Sequence, residues 1–164
     1  MIPGLLQTEA YARAILRAGP SLTDDEIEER VLSRLARQSV LTRDAPPLLV
    51  AVLDEAALRR QVGDRVTMRE QLAHLLTVGA QPHVQVRIVP AETPWHVGLN
   101  GPFILARLTE GTELAHLDNQ LRGHTVDGPN DLASLGRRWE TVAGEALPRR
   151  QSARLIEEVA TSWT

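Results

Sequence analysis

The sequence predicts an α+β fold, with a small mixed β-sheet of about four strands packed against helices and with helices at both ends. Three patterns lead there. Apolar residues at helical spacing open and close the chain, strand-length apolar or alternating runs occupy its middle, and capping or breaking residues separate them. At 164 residues the chain fits one domain, 1–164, with a sizeable core. It shows no internal repeat and no low-complexity tract.

The first element follows at once from Pro3 and Gly4, which mark a turn. Thr8 can cap a helix on which Ala10, Ala14, Ile15 and Ala18 share a face. Thr23 and Glu26 form a capping box: the hydroxyl and the carboxylate each satisfy a free amide at a helix start. Ile27, Val31 and Leu35 then make one stripe, with Leu32, Ala36 and Val40 beside it, and the helix runs to about Leu41. Asp44-Ala-Pro-Pro47 ends it, because neither proline can donate a backbone hydrogen bond.

Leu48 to Leu53 is a continuous apolar run of strand length, as expected for a strand covered on both faces. After Gly63, Thr67-Met-Arg-Glu70 is expected to be a second capping box, opening a helix that carries Leu72, Leu75, Leu76 and Val78 and stops at Gly79. Val84, Val86 and Ile88 alternate with Gln85 and Arg87, the pattern of a half-buried strand.

Residues 91–101, rich in Pro, Gly and Asn, form the most irregular segment. Phe103 to Leu108 and Glu113 to Asp118 read as strands of a hairpin turning through Thr109-Glu-Gly-Thr112. Asp127-Gly-Pro-Asn130 leads into the final helical part. There Leu132, Leu135, Trp139, Val142 and Ala146 share a stripe, Pro148 permits a break and restart, and Leu155, Ile156 and Val159 share the next stripe.

Composition narrows the chemistry. The absence of cysteine excludes disulfides, a cysteine nucleophile and thiolate zinc sites. A net charge of −3 gives no electrostatic footprint for nucleic acid, and Arg30, Arg34 and Arg37 are interleaved with Glu26, Glu28 and Glu29 as on a solvated helix face. No apolar run reaches membrane-spanning length and residues 1–20 do not resemble a signal peptide, so a cytoplasmic protein that binds no membrane is expected.

No serine-hydrolase elbow, phosphate-binding loop or dinucleotide fingerprint occurs. The five histidines lack metal-site spacing, so neither metal nor other cofactor is expected; His116 and Asp118, two apart on one strand, could tune one another. Asp54 and Glu55 close an apolar strand, where a carboxylate in an apolar setting can serve as general acid or base. The simpler reading has Asp54 capping a short helix and Glu55 pairing with Arg59 one turn later. Trp95-His-Val-Gly98 places a large apolar ring in a glycine-bearing loop, where it covers a core or meets a ligand or partner.

These residues also carry a resemblance. PGLLQTEAYARAIL from Pro3, RLARQSVLTR from Arg34, LDEAALRRQVG from Leu53, REQLAHLL from Arg69, VQVRIVP from Val84 and the Gly101-Pro-Phe103 step follow in order over most of the chain. Together they resemble an abundant actinobacterial domain of unknown function, the C-terminal part of Xre-type helix-turn-helix regulators in Streptomyces and its relatives. Where that family usually has an aromatic and acidic segment, this chain has Leu114-Ala-His-Leu-Asp118.

The resemblance implies an effector domain whose DNA-reading helices lie outside these residues. Its partner would be a small companion protein, as in toxin and antitoxin pairs, a small-molecule effector, or a second copy in a homodimer. Trp95, His96, Glu55, Arg59 and Phe103 are the candidate contacts. The alternative is a stand-alone enzyme recruited from such a domain, closing rings in a natural-product pathway, with Glu55, Asp54 and His96 as its acid–base groups.

Overall fold

Buried amides organise the start of the chain. In this computed structural model, which describes residues 1–19, 22–118 and 123–163, Gly4–Leu6 forms one 3-10 turn and Thr8 caps helix α1, Glu9–Arg17. The turn is clamped from three sides. Gln7 Nε2 donates to the Ile2 carbonyl at 2.6 Å, and Gln71 Nε2 donates to the Leu6 carbonyl at 2.7 Å while its Oε1 accepts from Thr8 N at 2.7 Å. Gln38 Nε2 donates to the carbonyls of Gly4 and Gln7, and Arg34 Nη1 donates to Gln7 Oε1. Gln7 and Gln71 are buried, so each of these bonds satisfies a group that water does not reach.

The capping box predicted at Thr23 and Glu26 is present, both arms included, and opens α2, Asp24–Gln38. A 3-10 turn, Ser39–Thr42, follows. Strand β1, Leu49–Asp54, pairs in parallel with β2, Val84–Val89, from Leu49 opposite Val84 to Asp54 opposite Val89. A parallel pair needs a crossover. It is built from α3, Ala56–Arg59, and α4, Arg65–Gly79. β2 alternates as its sequence predicts. β1 is not covered on both faces: Ala51 and Leu53 are buried, the other strand residues half-buried, and Leu48 exposed.

The second capping box is corrected. Asp64, not Thr67, caps α4, its Oδ1 accepting from Thr67 N at 2.7 Å. Gly63 at φ +68° turns the chain so that the helix starts three residues earlier than expected, which leaves Thr67 inside the first turn. Gly79 likewise ends α4 from within the helix, and Ala80 caps it in right-handed geometry.

Helix α6, Arg149–Thr161, restarts after Pro148 as expected and closes this unit, which comprises residues 1–91 and 147–164. Leu147 N donates to the Ile88 carbonyl, and Ile88 N donates to the buried Ser152 hydroxyl. The Arg149 guanidinium donates to the carbonyls of Gly79 and Gln81 at the end of α4, where unsatisfied acceptors and the helix dipole both favour a cation. Leu6, Tyr11, Leu58, Met68, Leu72, Ile88 and Ile156 belong to its core.

The second unit, residues 92–146, carries the other sheet. β3, Phe103–Arg107, pairs antiparallel with β4, Glu113–Leu117, which pairs with β5, His124–Val126. The hairpin turns where expected, with Leu108 N donating to the Thr112 carbonyl and Gly111 at φ +89°. β5 carries no sequence signal, since three residues are too few for alternation to register. Helix α5, Pro129–Glu145, begins with proline in its first turn and packs against β3 and β4. The chain is thus α+β with helices at both ends, as predicted, and its strands divide between two sheets rather than joining one.

Two outcomes test this reading. Gln71→Leu removes both bonds that tie α4 to the first turn, at a cost of about 1–3 kcal/mol for each buried group orphaned. Thermal melting should register the loss, and limited proteolysis should release the first eight residues sooner. The second concerns acid. The amide and hydroxyl of Thr67 hold the Asp64 carboxyl below its usual value of 3.8, so its stabilisation is present above that pH and lost as pH falls through the lowered value. Asp64→Asn, which keeps a capping oxygen, should melt like the wild type at acid pH and lose part of the gain on returning to neutrality.

Candidate functional site

The Asp54, Glu55 and Arg59 cluster sits where β1 passes into α3. Asp54 Oδ1 accepts from Ala56 N at 2.7 Å, the cap that the simpler reading predicts. Glu55 is only 4 % exposed, and both its oxygens are engaged. Oε1 accepts from Arg59 Nε at 2.6 Å and Oε2 from Ala91 N at 2.8 Å. Glu55 N in turn donates to the Val89 carbonyl, so this side chain and its backbone tie the end of β1 to the end of β2. A carboxylate held this way ties the two strand ends together, with each oxygen oriented by a hydrogen bond.

The remaining candidates lie in the second unit. His96 is buried and precedes a 3-10 turn, Val97–Asn100. A Cβ added at Gly98 would meet His96 Nδ1 at 3.0 Å and Val142 Cγ2 at 3.1 Å, so glycine is needed for this approach. Phe103 is half-buried opposite Leu117. Trp95 corrects an expectation: it covers no core and is 70 % exposed. The set offered for acid–base chemistry, Glu55, Asp54 and His96, thus draws on both units. His116 and Asp118 are both exposed, and the His116 ring lies so near Gly123 that a Cβ there would collide with it.

Groups with displaced pKa values sit in the frame. Burial raises the Tyr11 phenol and lowers the His74 imidazole, and the Thr23 amide and hydroxyl lower Glu26. A groove of about 820 Å³ runs between α1 and the start of α4, with Ala10, Ala14, Arg13 and Arg17 on one wall and Asp64 and Glu70 on the other. Its arginines are already committed. Arg13 pairs with Glu9 and Glu28, and Arg17 with Asp24 at 3.9 Å.

The model of one protein family, described as a domain of unknown function (DUF5753), matches residues 1–158. The chain belongs to that family. No curated protein and no solved structure matches it.

Against this DUF5753 frame, one feature was missed by motif reading. Trp95, Leu99, Ile104, Leu105 and Leu108 are exposed, five of the nine large apolar side chains so placed among the described residues, and all fall within one stretch of the second unit. The signal was available in Phe103-Ile-Leu-Ala106, four apolar residues in a row in a strand that has one helix-covered face. Alternation should have placed a polar residue at Ile104.

Glu55→Gln tests the structural role. The amide cannot accept from both Arg59 and Ala91 N, so loss of about 1–3 kcal/mol is expected for a hydrogen-bonded charge at a buried position. Chemical denaturation should show a lower midpoint with an unchanged slope.

Proposed function

We propose that this chain is a non-enzymatic partner-binding domain, the C-terminal effector half of an actinobacterial Xre-type transcription regulator. It acts in the cytoplasm and binds a small companion protein or a small-molecule effector, whose state it passes to DNA-binding helices elsewhere. The observation that carries the reading is the exposed apolar stretch from Trp95 to Leu108. Apolar surface gathered in one region marks interaction sites more often than scattered exposure does. Trp95 has the size and shape that dominate binding energy at such surfaces. The engagement of both Glu55 oxygens favours this reading over the recruited enzyme. The charge of −3 and the resemblance to an effector half agree in assigning DNA contact to other residues.

The experiment is a titration of the purified chain with the products of neighbouring genes, followed by Trp fluorescence. A saturable blue shift is expected. Trp95→Ala and Ile104→Ser should each weaken binding by about tenfold or more while leaving the melting temperature unchanged. Sequence-specific DNA binding by these residues alone, or turnover of a substrate that Glu55→Gln abolishes, would overturn the reading.

A further inference from the structure

We propose that β3 is the seam of a homodimer, pairing antiparallel with β3 of a second copy about a two-fold axis through Leu105. This rests on the partner-binding reading and names the occupant of part of that surface. Among the described residues β3 is an edge strand, bonded to β4 on one side only. Edge strands normally carry devices against pairing: charges, proline, bulges or a covering element. Residues 103–106 have none of the first two, and residues 104–107 are all exposed.

Backbone geometry fixes the register. The Leu108 amide bonds the Thr112 carbonyl, so in the alternating antiparallel ladder residues 108, 106 and 104 direct their peptide groups to β4. Phe103, Leu105 and Arg107 therefore direct theirs to the free edge. A two-fold axis at Leu105 sets Leu105 opposite Leu105 of the second copy, and Phe103 opposite Arg107 of that copy. Every outward group between Phe103 and Arg107 then has a partner, about six backbone hydrogen bonds in all. An axis at Ile104 or Ala106 would pair only two of these three outward residues on each strand, for about four bonds.

Charge selects the orientation. Arg107 is the one ionised side chain on β3, paired within its own chain to Glu113 at 2.9 Å. Antiparallel pairing about Leu105 keeps the two Arg107 residues about 14 Å apart along the strands, whereas parallel pairing would set them side by side at about 4.8 Å. The strand is thus complementary to itself in only one direction. Since the closed two-fold interface uses the same patch twice, it stops at two copies and leaves no new edge of this strand open.

Light scattering across the micromolar range should find a particle of twice the 18.1 kDa chain mass, dissociating on dilution as a short seam would. Leu105→Arg places like charges directly opposite and should weaken the dimer about tenfold or more, with an unchanged melting temperature at concentrations where the wild type is monomeric. Because the chain has no cysteine, Leu105→Cys offers a second readout that does not depend on that variant folding well. Its Cα atoms would be about 5.5 Å apart across the axis, within disulfide reach, while those of Leu108→Cys would be about 20 Å apart along the strands. Oxidation should link the first at least about tenfold faster.

A chain that stays monomeric, a dimer indifferent to Leu105→Arg, or equal rates for the two cysteines overturns the homodimer. The companion-protein titration still decides the broader reading. If the β3 amides gain exchange protection only when that companion is added, the edge belongs to it instead.

Discussion

The first unit depends on satisfying the backbone of a segment whose only regular structure is the single 3-10 turn Gly4–Leu6. Residues 2–8 run through the core side of α2 and α4, and a non-repetitive segment there has carbonyls without neighbours to bond. Four side chains supply what regular structure would have supplied. Gln7 takes Ile2, Gln71 takes both Leu6 and Thr8, Gln38 takes Gly4 and Gln7, and Arg34 holds Gln7 itself in place. The amide group suits this work because it donates and accepts without carrying a charge that burial would penalise. With the segment fixed, Ile2, Leu6 and Tyr11 can enter the same core as Leu72 and Leu75. Loss of any one amide would leave the backbone groups it bonds without a partner, so the polar cluster supports the placement of the apolar core.

The legible part of the fold was the part that depends on neighbours in sequence. Thr23 and Glu26 are three residues apart and find each other whatever the rest of the chain does. The same holds for Asp54 with Ala56, Glu55 with Arg59, and the alternation of Val84, Val86 and Ile88. Thr67 failed for a tertiary reason. Gly63 takes a left-handed turn, and a Cβ there would also crowd Ala14 of α1 at 3.1 Å, so packing sets where α4 begins. The glutamine clamp was invisible because its members are separated by up to 65 residues, and nothing local distinguishes a buried Gln from a solvated one. Among the candidate site residues, Glu55 and Arg59 were read with the right partner. For Trp95 the sequence left core cover and partner contact open, and its exposure removes the first, because a ring's exposure depends on which elements pack around its loop.

Glu55 shows how one residue type can support opposite functional readings. A buried carboxylate at the end of a strand is a standard place for acid–base chemistry, and the sequence leaves that possibility open. Its partners favour the structural role: one oxygen accepts from Arg59 and the other from Ala91 N. Releasing either would leave a buried charge uncompensated, which costs more than an ordinary hydrogen bond contributes. The carboxylate therefore joins β1, α3 and the residue that follows β2, and its value lies in staying where it is.

The two sheets treat their edges in different ways, and this contrast separates frame from surface. On β2, Ile88 uses its carbonyl for Leu147 N and its amide for the Ser152 hydroxyl, so the C-terminal segment takes the place of a third strand. That substitution is economical: one backbone amide and one buried hydroxyl quiet an edge that would otherwise template aggregation. Within its own unit β3 receives no such cover among the described residues, although its side chains are the more apolar. A chain able to cover one edge at Ile88 with Leu147 and Ser152 has a ready means of covering another. An apolar edge left open in the unit that also exposes Trp95 is the arrangement expected where strand pairing is completed by a second polypeptide.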